Sequence, residues 1–156
     1  MAIRVAIGTD HGGFPLKKAI ADFVKELGFD VLDLGTNSEE ACDYPDFAEA
    51  VGKAIIKGDA ELGIVLCGSG VGASVAANKI AGIRAGVCHD TFSAHQCRED
   101  DDINILCMGA RVIGISLAKE ITKTFLEAKF SGAERHRRRL EKVAKIEKEN
   151  LLQKTT

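Results

Sequence analysis

Tryptophan is absent from this chain, proline occurs twice, tyrosine once, and aromatic residues make up 5% of it. So little aromatic content excludes an aromatic-laden β-sandwich, and two prolines exclude a Pro-rich linker. No apolar run approaches the ~20 residues of a membrane span. The stretch from Met1 to Ile7 is too short for the apolar core of a signal peptide and runs straight into Gly8-Thr9-Asp10-His11. No membrane partner and a cytoplasmic location are therefore expected. The cysteines, Cys42, Cys67, Cys88, Cys97 and Cys107, are odd in number and contain no C-x-x-C pair. That pattern signals neither a disulfide framework nor a zinc site and fits a reducing compartment.

What is present describes one ordinary domain: 156 residues, 46% hydrophobic and 28% charged, with 16 glycines to turn between regular elements. A chain of this length buries roughly two thirds of the surface its unfolded form exposes, which suffices for a core without disulfide or metal. The formal net charge of −2 conceals an asymmetry. Residues 1–134 carry a net −7 and residues 135–156 a net +5, so a basic tail follows an acidic body. Such a tail suits a nucleic acid, a small phosphate or the acidic body of a second subunit, and charge alone does not choose among them.

Strand-length apolar runs alternate with helical patterns. Ile3 to Gly8 reads as a first strand; Leu16, Ile20, Phe23, Val24 and Leu27 follow at helical spacing before Gly28. Val31 to Leu34 is a second strand, Phe47 to Ile56 a second helix closed by Gly58. Leu62 to Cys67 is apolar without alternation, as a central parallel strand covered on both faces requires. A helix through Asn78, a strand Ala85 to Cys88, a helix Thr91 to Glu99, a strand Ile103 to Met108 and a helix Ile115 to Lys129 complete the pattern. Five βα units predict an α/β fold, a three-layer αβα sandwich around a five-stranded parallel Rossmann-like sheet, over residues 1–130. Residues 131–156 form a basic C-terminal helix and tail of the same domain, protruding because Arg135 to Glu149 offers only Leu140, Val143 and Ile146 for packing.

In an open parallel sheet, ligands bind beyond the carboxyl ends of the strands. The residues there are Asp10-His11-Gly12-Gly13, Cys67-Gly68-Ser69-Gly70-Val71-Gly72, His89-Asp90 and Gly109-Ala110-Arg111. Glycines opening a helix let successive N–H groups cradle an anion. The segment lacks the G-x-x-G spacing of a dinucleotide fingerprint and the Lys-[Ser/Thr] of a Walker loop, which argues against NAD or ATP. A thiol at the head of such a cradle is a usable base or nucleophile; the alternative is a small apolar filler at a strand end. The other four cysteines lack that setting and read as packing residues. Asp10 suits a sugar hydroxyl or a helix cap, and His11 a phosphate or a proton. Arg135 and Arg139, four apart, place two guanidiniums on one helix face, a grip for one phosphate or a solvated charged face. His89 and His95 read as structural or surface residues, and His136 as part of the basic run.

The segments Gly8-Thr9-Asp10-His11-Gly12-Gly13-Phe14, Asp43-Tyr44-Pro45, Cys67 to Gly72, Ala76-Ala77-Asn78-Lys79, Gly82-Ile83-Arg84-Ala85, Asn104 and Gly109 to Gly114 resemble type B ribose-5-phosphate isomerases and related sugar-phosphate isomerases. The likeness runs in order from residue 3 to about 147. It implies an aldose–ketose isomerase working through a cis-enediol, with ribose 5-phosphate as leading substrate and a tetrulose phosphate or hexose 6-phosphate as alternative. It makes Cys67 the base that moves a proton between C2 and C1. The amides of Gly68, Ser69, Gly70, Val71 and Gly72, with the Ser69 hydroxyl, become the cradle for the enediolate oxygen. Asp10 becomes a hydroxyl contact, His11, Arg111, Arg135 and Arg139 surround the phosphate, and Asn78 and Asp43-Tyr44 line or support the site. It implies a homodimer, sometimes paired to a tetramer, with sites shared between subunits, and neither metal nor cofactor. There is one departure: where many type B enzymes read Glu-His-Asn-Asp, with histidine opening the furanose ring, this chain reads Glu99-Asp100-Asp101-Asp102. Asp100 takes the catalytic histidine's place and Asp101 that of a substrate-binding asparagine. Two other classes compete with the isomerase: a non-catalytic flavodoxin-like nucleotide-binding module, which has no use for the Cys67 thiol, and a nucleic-acid binder using the tail from Arg135 to Lys148.

Overall fold

The computed structural model describes residues 2–151. Its strands β1 (Arg4–Thr9), β2 (Asp30–Asp33), β3 (Leu62–Cys67), β4 (Ala85–Val87) and β5 (Ile105–Gly109) form one parallel sheet in the order β2-β1-β3-β5-β4. The helices between and after them are α1 (Phe14–Glu26), α2 (Tyr44–Lys57), α3 (Val71–Ala77), α4 (Thr91–Glu99), α5 (Ile115–Glu127) and α6 (Glu134–Asn150). The five-stranded αβα architecture expected from the alternation is the one observed. Residues 152–156 of the expected basic tail lie outside the described residues.

The strands alternate their side chains between two apolar layers. Val5, Ile7, Ile64, Leu66, Leu106 and Met108 meet α1, α4 and α5 through Ile20, Val24, Ala94, Ile121 and Phe125. On the other face Ala6, Val65, Cys67, Ile105 and Cys107 meet α2 and α3 through Ala48, Val51, Ala73 and Ala77. Each fully buried Ile or Val of this set stabilises the fold by about 1.5–3 kcal/mol relative to exposure. The small residues of the second layer let α2 and α3 lie close to the sheet, which carries the end of β3 up to the start of α3.

Several boundaries differ from the sequence reading for local reasons. Helix α2 begins at Tyr44 because Pro45 lies in its first turn, where no N–H is needed. Strand β5 begins at Ile105 because Asn104 turns its side chain back, accepting the Arg84 N–H at 2.8 Å and donating to Gly82 O at 2.9 Å. The loop after β2 is fixed by the buried Lys17, whose Nζ donates to Thr36 O and Asn37 Oδ1, each at 2.8 Å, and pairs with Asp33 at 2.9 Å. That loop leads to Cys42 and Tyr44, which the next layer of structure uses. No helix among the described residues is long and apolar enough to cross a membrane.

Candidate active site

The chain order of the sheet reverses between β1 and β3, and a crevice opens at that switch point beyond the strand ends. It is a cleft of about 360 Å³ lined by Asp10, His11, Gly12, Tyr44, Cys67, Gly68, Ser69, Gly72, Arg111 and Val112. That volume suits a small molecule.

Cys67 ends β3 with 4% of its surface exposed, and its sulfur accepts the Gly70 N–H at 3.1 Å. The bond exists because Gly70 turns with φ of +82°, a left-handed conformation that swings its amide back toward the strand end and that glycine adopts without steric cost. Two of the five cradle amides are therefore engaged within the loop: Gly70 on Cys67 Sγ, and Val71 on Ser69 Oγ at 3.2 Å. The N–H groups of Gly68 and Ser69 have no hydrogen-bond partner among the described residues.

Asp10 is 6% exposed and its Oδ1 accepts the Gly13 N–H at 2.9 Å, leaving the other oxygen without a partner among the described residues. Asp10 therefore fixes the turn ahead of α1 rather than capping the helix, whose N-cap is Gly13 with no side-chain cap. His11 Nδ1 accepts the Cys42 N–H at 3.2 Å, with Cys42 O at 3.1 Å and the Cys42 sulfur at 3.9 Å. Cys42 therefore brackets the imidazole and is more than a packing residue. Arg111 is seated by its backbone, whose N–H donates to Gly68 O at 3.1 Å, while Ala110 N–H donates to Cys67 O at 2.9 Å. The Arg111 guanidinium has no hydrogen-bond or ion-pair partner among the described residues. A thiol with a donor on its sulfur, a half-free carboxylate, two free amides and an unpaired guanidinium share one concavity. That set can hold an anion and move a proton.

The remaining expected site residues stand outside this cleft. Asn78 clasps the start of β4, accepting the Ala85 N–H at 2.8 Å and donating to Ala85 O at 2.9 Å. Asp101 lies in a groove under α6 with Ile83, Leu140 and Val143. Asp100 is turned toward α6: its Oδ2 accepts from Gln96 Nε2 at 2.8 Å, and its Oδ1 lies 3.3 Å from Nε2 of His136. The ring of His136, 3% exposed, is completed by Ser131 Oγ at 2.6 Å from Nδ1. Arg135 and Arg139 are exposed on α6 with no partner among the described residues, whereas Arg137 Nε donates to Gly132 O and Arg138 pairs with Glu134. Among the described residues no cluster of three or more His, Cys, Asp or Glu is placed to hold a metal ion.

The sequence reading placed Gly12 at a strand end without giving it a role, and it missed Val112 as a cleft residue and the role of His89. Gly12 and Val112 lie in the turns just past β1 and β5, so the strand-end rule reaches both. His89 accepts the Gly109 N–H through Nε2 at 2.8 Å, and nothing in its sequence neighbourhood announces that.

Fold and cleft define an α/β enzyme with its reactive groups at the topological switch point of a parallel sheet. The ribose/galactose isomerase family model matches residues 5–143. Ribose-5-phosphate isomerase B of Escherichia coli (strain K12) is 46% identical over 144 residues, covering 92% of this chain and 96% of that protein. The solved ribose-5-phosphate isomerase B of Clostridium thermocellum superposes with a TM-score of 0.92 at 48% identity, covering 94% of this chain and 99% of the other. D-erythrulose-4-phosphate isomerase of Pectobacterium atrosepticum is 42% identical over 131 residues, covering 83% of this chain and 86% of that protein. The chain belongs to the ribose/galactose isomerase family.

Proposed function

We propose that this enzyme interconverts ribose 5-phosphate and ribulose 5-phosphate by proton transfer through a cis-enediol, with Cys67 as the base. The observation that carries the reading is the Cys67 thiol, held by the Gly70 amide in the same cleft as Asp10 and the unpaired Arg111. With the open-chain aldose bound, the Cys67 thiolate removes the proton from C2 and the electron pair forms the C1–C2 double bond, placing negative charge on O1. The free amides of Gly68 and Ser69 and the Ser69 hydroxyl receive that charge, the kind of stabilisation that dominates such reactions. The Cys67 thiol, whose proton exchanges with solvent in the open cleft, then protonates C1, the O2 proton passes to O1, and the ketose results. Asp10 takes a sugar hydroxyl, and His11 and Arg111 take the phosphate.

Arg135 and Arg139, without partners among the described residues, support a homodimer in which α6 of one subunit supplies cations to the phosphate of the other. In this reading Asn78 supports the site through β4, the reaction needs no cofactor, and it runs in the cytoplasm, where five thiols without a framework stay reduced.

A tetrulose phosphate is the second reading, and Asp100 favours it. Its carboxylate is engaged by Gln96 and His136. A terminally phosphorylated tetrose has no hydroxyl left to close a furanose, so it needs no ring-opening acid. The family relative named for D-erythrulose 4-phosphate shows that the scaffold carries such chemistry in another protein. The test is incubation with four-, five- and six-carbon sugar phosphates in deuterated water, followed by NMR at C1 and C2. Exchange on the pentose supports the first reading and exchange on the tetrulose alone the second; exchange on none removes the isomerase assignment.

A further inference from the structure

The end of β4 leaves β5 with a surplus donor. Strand β4 stops at Val87, paired with Cys107, while β5 runs on through Met108 to Gly109. The Gly109 N–H has outlived its strand partner on that side, and a buried ladder donor without an acceptor is costly. The imidazole of His89 fills the gap, accepting that N–H through Nε2 at 2.8 Å.

Gly109 is also the residue on which the cradle rests. A methyl group there would lie 2.5 Å from the backbone carbonyl carbon of Ser69, so the Gly109 backbone is in direct contact with the loop. Immediately after it, Ala110 N–H holds Cys67 O and Arg111 N–H holds Gly68 O. The position of the Gly109–Arg111 turn thus sets the base, the first cradle amides and the cation together.

We propose that His89 is a positioning residue for the isomerisation: by accepting the Gly109 N–H it fixes the turn that seats Arg111 and braces Ser69. The inference rests on the isomerase reading for its kinetic consequence, while its geometric content stands apart from the substrate. An acceptor at Nε2 requires the neutral ring with its proton on Nδ1. Partial burial favours that state, holding the His89 pKa below the ordinary histidine value against the opposing charge of Asp90.

Two variants separate this from a space-filling role. His89→Ala removes the acceptor; His89→Gln keeps a carbonyl oxygen at about the distance of Nε2. The Ala variant is expected to lose about ten-fold or more in kcat/KM, the yield of one lost hydrogen bond to a buried donor. The larger share is expected in KM, because Arg111 is freed. His89→Gln is expected to recover most of the loss. The Gly109 amide resonance in a ¹H–¹⁵N spectrum should shift upfield in the Ala variant and stay near the wild-type position in Gln. Inorganic phosphate should perturb the Gly68 and Ser69 amides of the wild type more strongly than those of the Ala variant. If Ala lowers the melting temperature but leaves kcat and KM unchanged, or if Gln behaves as Ala does, the proposal is overturned. Should His89→Ala fail to fold, long-range ¹⁵N spectra of the wild-type ring decide: a protonated Nε2 overturns it, a protonated Nδ1 supports it. If no sugar phosphate is isomerised by the wild type, the functional reading fails, while the amide and phosphate measurements still read the His89 bond.

Discussion

Removing the guanidiniums of Arg135 and Arg139 separates a ligand site from a charged surface more sharply than any other change on α6. Four arginines lie within five residues there, and the structure divides them. Arg137 and Arg138 are engaged, by Gly132 O at 2.7 Å and Glu134 at 2.8 Å, while Arg135 and Arg139 have no partner among the described residues. Truncating the latter pair breaks no bond within the described chain, so stability should move by no more than about 0.5 kcal/mol, as at ordinary surface positions. A charge-assisted contact to phosphate is worth ~1.5–3 kcal/mol, which converts to a rise in KM of about 10- to 150-fold for each single Ala variant. Both act on one phosphate, so the double variant should fall short of the product of the singles. Arg137→Ala and Arg138→Ala are the controls and should leave KM near the wild-type value. Steady-state kinetics on the preferred sugar phosphate, with thermal denaturation in parallel, reads all of these. Mixing Cys67→Ala subunits with Arg135→Ala/Arg139→Ala subunits then tests sharing, because a mixed dimer rebuilds one complete site and regains activity. An unchanged KM in both single variants, with a lowered melting temperature or a lost dimer, would refute the phosphate role and make the basic helix a subunit contact.

Other substitutions probe the scaffold and the sugar. Asp100→Asn weakens the clasp on the buried His136 and should cost about 1–3 kcal/mol, read as a fall in melting temperature, while Gln96→Ala costs less because His136 keeps its charged partner. Gly70→Ala forces a left-handed turn on a residue with a Cβ, about 1–2 kcal/mol, and should also lower kcat by moving the amide on Cys67. Asp100→His, assayed on ribose 5-phosphate and on erythrulose 4-phosphate, should raise pentose turnover alone if ring opening is what the wild type lacks. The lowered pKa of His89 means the unfolded chain binds its proton first as pH falls. This contribution to stability is therefore present above about 6.5 and lost below it, and comparison of wild type with His89→Gln across that window isolates it.

The architecture was legible because its signals are local. The β3 run Leu62 to Cys67 is apolar on both faces, and α1 and α2 keep their helical spacing, so strand and helix identities follow from period alone. The cleft was legible for a related reason: the strand-end rule needs only the residues after β1, β3 and β5. What it could not supply were partners brought together by the fold. Asp100 reads as one of a crowd of acids, and nothing in its neighbourhood points to His136 thirty-six residues on or to Ser131 beyond it. His89 reads only as a structural or surface residue, because the donor it serves belongs to a strand it does not precede. Asn78 sits on a motif but spends its amide on β4. The scarcity of apolar residues from Arg135 to Glu149 left α6 protruding in the sequence reading. Among its described residues His136 alone is buried, with Val143 and Ile146 left exposed.

The central claim is that the Cys67 sulfur carries the proton between C2 and C1. Its most direct test is deuterium incorporation at those carbons by the Cys67→Ala variant, measured by NMR in deuterated water beside the wild type, with sugar-phosphate binding followed in the same samples. Loss of a positioned base is worth about 10²–10⁴-fold, so exchange should fall by that factor while binding, which depends on Arg111 and the amides, persists. Exchange near the wild-type rate in the variant would contradict the account and turn attention to Asp10, a buried acid lining the same cleft.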